Sequence, residues 1–151
     1  MQPQRSILEH NRKIFYKILN SHTLDQLNSV PKGFNNSIFW NVTHCVVVQQ
    51  RLMYQLSGNR IHIDTKWVTN YDKGTFPKTP ATLGEIEEIK SLLFSTLDSL
   101  DEDIRSSIFK KYHSFTTSTN QLIDSFESAF TFVMFHDGIH LGSILAIRKF
   151  V

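Results

Sequence analysis

The stretch from Phe130 to Arg148 constrains this chain more than any other. Its apolar residues, Phe132, Val133, Phe135, Ile139, Leu141, Ile144, Leu145 and Ile147, are dense enough to predict a helix pressed into a core rather than one lying on a surface. Within it, His136 and His140 stand four apart, so both imidazoles leave one side of the helix, one turn from each other. Two neutral imidazoles at this spacing are a common helical clamp for a transition metal. No Glu follows His136, which rules out the zinc-protease version of the pattern. A pair alone does not make a site, and a third ligand has to come from elsewhere in the chain.

The rest of the chain predicts three more long helices. Ile7, Leu8, Ile14, Phe15, Ile18 and Leu19 fall at helical spacing, which gives a first helix from Arg5 to about Asn20. Thr23-Leu24-Asp25-Gln26 has the form of a capping box, but Pro31 and Gly33 leave room for only a turn or two. Asn35-Asn36-Ser37 supplies cap chemistry for a second helix from Ile38 to Leu56, with Gly58 as its stop. From Asn59 to Ala81 little periodicity is visible, and the length suits a crossover between parallel helices. Thr82-Leu83-Gly84-Glu85 is another capping box, and Ile86, Ile89, Leu93, Leu97 and Leu100 follow as one stripe. The acidic residues from Asp98 to Asp103 oppose the helix dipole, so this third helix is expected to stop near Leu100. Ile104 to Gln121 reads as a loop with a short turn or extended piece. Asp124 or Ser125 then caps a fourth helix running to about Lys149. Four long helices with one long connection between the second and third predict an all-α fold, a four-helix bundle with a crossover, formed by residues 1–151 as a single domain.

In such bundles, metal and ligand sites are built between facing helices. The second helix carries a polar stripe, Asn41, His44, Val48 and Arg51, through an otherwise apolar segment, and His44 is its single histidine. His44 is therefore the candidate third ligand for the pair on the fourth helix.

The residues Trp40-Asn41-Val42-Thr43-His44, the run Phe135-His136-Asp137-Gly138-Ile139-His140-Leu141-Gly142-Ser143-Ile144 and the following Arg148 together resemble the DinB-like superfamily. That group is described with the bacillithiol transferases, mycothiol-dependent maleylpyruvate isomerase and the N-terminal part of ergothioneine-synthesising enzymes. The spacing of roughly ninety residues between the single histidine and the pair is also similar. The resemblance covers nearly the whole chain. It implies an up-down-down-up helix order, frequent homodimers, and a divalent metal ion, zinc or nickel foremost, on His44, His136 and His140.

Three neutral imidazoles leave coordination positions open, as working metal sites do. A divalent ion there lowers the pKa of a bound water or thiol, so hydrolysis and thiol transfer are both within reach. The resemblance favours a metal-dependent thiol S-transferase acting on a small-molecule substrate, a low-molecular-weight thiol. A hydrolase comes next. The competing reading is a non-catalytic metal- or small-molecule-binding bundle, stress-related in role. Asn41 can orient a bound water or substrate, and Arg51 can hold a carboxylate. Asp137 is expected at the surface or behind the ligands, Gly138 and Gly142 at a close helix contact, and Cys45 in the core. His10, His22, His62 and His113 are expected to be solvated, without spacing partners.

Composition limits the partners. The 151 residues carry a net charge of +2 with Lys and Arg dispersed, which gives no electrostatic footprint for nucleic acid. Twelve Phe point to an aromatic core. No leading apolar run suggests a signal or a membrane span, and the one cysteine permits no internal disulfide. A cytoplasmic protein is expected.

Overall fold

The computed structural model describes residues 2–77 and 79–151. It is mostly helical. The long helices are α1 (Gln2–Ser21), α3 (Ile38–Met53), α5 (Leu83–Arg105) and α6 (Phe126–Ile147). Between them lie the short α2 (Leu24–Asn28) and α4 (Thr65–Tyr71) and a two-stranded hairpin of β1 (Phe115–Thr116) and β2 (Leu122–Ile123). In the hairpin Phe115 pairs with Ile123 and Thr116 with Leu122, antiparallel.

The helices begin where their side chains can accept the first free N–H groups. Thr23 and Thr82 form full capping boxes with Gln26 and Glu85, Ser37 accepts from Trp40 N, and Ser125 caps α6 together with Ser128. After α3 the chain tightens into a single 3-10 turn, Gln55–Ser57, and leaves through Gly58 at φ +72°. A left-handed exit of this kind favours glycine.

Every residue of α3 except Val48 and Arg51 is buried, which makes it the central helix. It packs most extensively on α6, while α1 lies against α5 and α6 and a side of α5 meets α3. One cluster, with Phe15, Phe39, Trp40, Val46, Trp67 and Leu93, fills one part of the core; a second, with Leu8, Met53, Tyr54, Leu100, Phe126 and Phe130, fills the other.

Three expectations need correction. The segment from Asn59 to Ala81 contains α4. Its signal was present in Asp64, whose side chain accepts from Lys66 N at 2.8 Å, and in Trp67 and Tyr71, four apart on the inward face. The helix expected to stop near Leu100 continues as α5 to Arg105. Tertiary partners take up two of the acidic residues that argued against this, Asp101 and Asp103. Arg5 Nε donates to Asp101 at 2.9 Å, and Tyr54 Oη and His62 Nε2 both meet Asp103 Oδ2, at 2.9 and 2.8 Å. His62 is thus exposed but not without a partner.

The third correction concerns α6. Val133, Ile144 and Ile147 are buried as expected, but Phe135, Ile139 and Leu145 are 58, 47 and 37% exposed. Gly138 and Gly142 lie on the same open face, and a Cβ added at either would meet nothing within 4 Å. They mark no close contact among the described residues. By length and apolarity α6 would pass for a membrane span, with a mean hydropathy of 1.4 over its most apolar window. Its inner face, however, carries a fully buried carboxylate and two imidazoles turned toward other helices.

Candidate metal centre

Where α3 lies along α6, three imidazoles converge. His44 sits in the second turn of α3, stacked on Trp40 with ring centroids 4.5 Å apart. Its Nδ1–H donates to the Tyr71 carbonyl at 2.7 Å. Tyr71 closes α4, where the last carbonyls have no partner within their own helix, so the end of that short helix supplies an acceptor already aimed outward. The edge-on contacts of Tyr71 with Phe39 and its tilted contact with Trp67, centroids 5.6 and 5.5 Å apart, hold that end against α3.

His140 is oriented in a similar way. Its Nδ1–H donates to Asn41 Oδ1 at 2.7 Å, and Asn41 Nδ2 donates to the Ser37 carbonyl at 2.7 Å. The second bond fixes the amide with its oxygen toward the imidazole. With both Nδ1 protons committed to oxygen acceptors, Nε2 of His44 and of His140 present lone pairs.

His136 Nε2 lies 3.2 Å from His140 Nε2, and one ring nitrogen of each of the three histidines stands within 4.8 Å of the others. Two imidazoles bound to one ion at about 2.0–2.1 Å, with an angle between 90 and 110°, are about 2.9–3.4 Å apart. The pair on α6 has that separation. Burial, followed by the charge of the neighbouring imidazoles, lowers the His136 pKa to about 2, and burial followed by His44 lowers His140 to about 4. Burial also lowers His44, against the Tyr71 hydrogen bond, which raises it. All three are neutral at pH 7, as ligation requires. The donor set and its geometry fit a divalent ion.

Behind His136 lies a sealed polar layer. Asp137 and Arg12 are both fully buried, with Arg12 Nη1 3.7 Å from Asp137 Oδ2. Arg12 Nη2 donates to Gln49 Oε1 at 3.0 Å and more weakly to the Cys45 carbonyl at 3.4 Å. Burial raises the Asp137 carboxyl, and the guanidinium offsets this only in part. Cys45 is pushed well up by burial and by the Asp137 charge, which leaves an inert thiol, as expected of a core residue. Asp137 is thus a core residue, neither at the surface nor a ligand of the three-histidine cluster. Its carboxylate, Cys45 Sγ and a ring nitrogen of His136 do lie within 4.8 Å of one another.

The other side of the cluster opens into a cleft with two lobes. The larger, about 430 Å³, touches all three histidines and is walled by Trp40, Phe76, Phe132 and Phe135. The smaller, about 150 Å³, runs from His44 and His136 between Val48, Leu52, Leu56, Phe115 and Phe132. Arg51 lines the smaller lobe but is engaged by Asp72 and by Gln55.

The family model of the DinB superfamily matches residues 7–144. The chain belongs to the DinB superfamily. No curated protein matches it. In this DinB-superfamily chain the three histidines singled out in the sequence are brought together, whereas Asn41 and Arg51 are occupied by protein partners. Sequence reasoning missed Tyr71, whose carbonyl orients His44, because a backbone group carries no residue signature. It also missed Arg12. Arg12 was hidden in the first helix, where a lone arginine among Asn11, Lys13 and Lys17 reads as part of a solvated face.

Proposed function

We propose that this DinB-superfamily chain holds a divalent ion, zinc or nickel, on His44, His136 and His140 and uses it in a metal-dependent thiol S-transfer, with hydrolysis as the next candidate reaction. One observation carries this reading: the two Nδ1–H groups at 2.7 Å from Tyr71 O and Asn41 Oδ1, which leave Nε2 lone pairs free in a cluster whose ring nitrogens come within 4.8 Å of one another. Such outer partners set the tautomer and basicity of metal-binding imidazoles. When bound, the ion supplies Lewis acidity that lowers the pKa of a thiol or water at its open positions. The chain's own part is to hold the imidazoles neutral, fix their direction and wall the cleft with aromatic rings. A closed structural site would have no cleft at its open side, and this disfavours the non-catalytic reading.

The finer topology is an up-down-down-up four-helix bundle in a cytoplasmic protein. Contacts between side chains support it. Arg5 meets Asp101 while Tyr16 meets Phe94, and Asn41 meets His140 while His44 meets His136, as in antiparallel pairs. Gln49 meets Thr96 while Tyr54 meets Asp103, as in a parallel pair. A homodimer through the open face of α6 is part of the same reading. Between Glu127 and Arg148 that face carries no charge, and in an antiparallel pairing centred on Gly138 Glu127 of one copy would oppose Lys149 of the other.

Elemental analysis of tag-free protein beside His44→Ala and His136→Ala tests the site. About one ion per chain in the parent, lost in both variants, is the expected result. No ion in the parent after incubation with zinc or nickel and dialysis would overturn it. An ion bound without chelator-sensitive thiol transfer or hydrolysis would leave the non-catalytic binding protein as the correct reading.

A further inference from the structure

The charges around the cleft say more about the ligand than the histidines do. Three charged side chains line its lobes: Arg51, Asp72 and Lys73. Arg51 and Asp72 neutralise each other in a direct ion pair. Lys73 is exposed and lines both lobes, and among the described residues no carboxylate pairs with it. The cleft therefore carries one uncompensated positive charge, to which three neutral imidazoles contribute nothing. A bound divalent ion would make the surroundings more positive still, and no acidic side chain lining the lobes is free to offset it. The Ser118 hydroxyl and the Asn35 and Asn36 amides on the cleft wall can donate to an anion as well.

The smaller lobe has a different character. Val48, Leu52, Leu56, Phe115 and Phe132 leave an apolar slot beside His44 and His136. Leu52 is buried, while Val48 and Leu56 are half-buried, so filling the slot removes apolar surface from water on both sides.

We infer that the cleft takes a small organic anion with an apolar arm, its carboxylate held at Lys73 and its arm lying in the slot between Val48, Leu52, Leu56 and Phe115. This rests on the metal-dependent reading only for the reacting end of the ligand, which must reach the three histidines; the anion subsite belongs to Lys73 and the slot alone. The ligand presents a carboxylate at Lys73, an aliphatic or aromatic arm toward Leu56, and its reacting group toward Nε2 of the histidine cluster. Cationic and neutral molecules of the same shape are disfavoured by the uncompensated lysine.

Titration calorimetry with hexanoate, acetate and hexan-1-ol as probes tests this, on tag-free protein with zinc supplied and again after chelation. Hexanoate is expected to bind both preparations. In chelated protein no ion competes for the carboxylate, and there hexan-1-ol should bind about fivefold more weakly, with Lys73→Gln bringing hexanoate down to the alcohol's level. The lysine-dependent part should shrink with added salt. Acetate, which lacks the arm, should bind at least about tenfold more weakly than hexanoate. Hexanoate affinity unchanged by Lys73→Gln in both preparations, hexan-1-ol binding as well as hexanoate, or no binding of hexanoate at all would each overturn the proposal. Protein that takes up no zinc yet binds hexanoate through Lys73 would keep the anion subsite and defeat the metal reading. Protein that takes up zinc and ignores hexanoate would do the reverse.

Discussion

His136 and Asp137 are neighbours on α6, yet they face two different chemical environments. His136 turns toward the cleft, joins two other imidazoles and has the open lobes before it. Asp137 turns about 100° round the helix into a layer sealed between α1 and α3, where its charged partner is Arg12 at 3.7 Å. The cleft side is better furnished: Tyr71 O and Asn41 Oδ1 fix two of the three rings at 2.7 Å, while His136 Nδ1 is without a partner among the described residues. The sealed side is more sparsely furnished: the Cys45 thiol and the Asn11 side chain lie close enough to steady the Asp137 carboxylate, but neither of its oxygens and neither Nε nor Nη1 of Arg12 makes a well-formed hydrogen bond. A polar group that reaches a cleft can be arranged for binding. One shut in the core is held mainly by the charge of its partner, and its loss falls on stability.

The sharpest way to break this comparison is to remove the guanidinium. Arg12→Met leaves an unpaired carboxylate in the core and is expected to destabilise the protein by about 3 to 5 kcal/mol, measured by urea unfolding. Arg12→Met with Asp137→Leu should recover most of that loss, because replacing a whole buried pair by apolar groups is close to neutral. If the single variant is as stable as the parent, the sealed layer is not an ion pair.

Asn41→Ala acts on the other side. It frees the His140 ring, and affinity for zinc is expected to fall roughly 10- to 100-fold, as when outer partners of metal-binding histidines are lost. Competition with a chromophoric chelator measures this. The cost in stability of the metal-free protein should be only about 1 kcal/mol. Together the two variants separate binding from stability at adjacent residues.

Acid sharpens the contrast further, because the two neighbours carry opposite signs. Unfolded imidazoles protonate near 6.5, while folded His140 and His136 resist until about 4 and 2. Their contribution in metal-free protein is full above pH 6.5 and is lost as the pH falls toward the folded values. Asp137 has a raised folded pKa, so its contribution is full below its unfolded value of 3.8 and is lost as the pH rises through the folded one. Urea midpoints between pH 7.5 and 4.5 should fall with acid in the parent, less steeply in His136→Leu and more steeply in Asp137→Asn.

The smallest effect is expected on the outer face of the same helix. Gly138→Ala meets no neighbour and should stabilise the monomer by about 1 kcal/mol through helix propensity. If a second copy covers this face, the same change should weaken self-association in sedimentation velocity, and the opposite signs would distinguish the two states.

Much of the site is legible in the sequence. The spacing of His136 and His140 fixes two rings on one face of a helix, and His44 was the one histidine on a polar stripe of the second long helix. Helix starts were legible too, because Thr23, Ser37, Thr82 and Ser125 cap through contacts three residues away. Local chemistry of this kind is written in the order of the residues. What the order could not give were decisions made by distant neighbours. The acidic residues after Leu100 stay helical because Arg5, Tyr54 and His62 come to meet them. Arg12 is a core residue because Asp137 and Gln49 lie opposite it, and Phe135 is exposed because none of the described helices covers that side of α6. Periodicity and capping depend on a few bonds along the backbone, so the sequence by itself determined the helices and the histidine spacing. Burial, charge pairing and the direction of each imidazole depend on distant groups, from 27 residues away for His44 and Tyr71 to 125 for Arg12 and Asp137, and only the tertiary structure decided those.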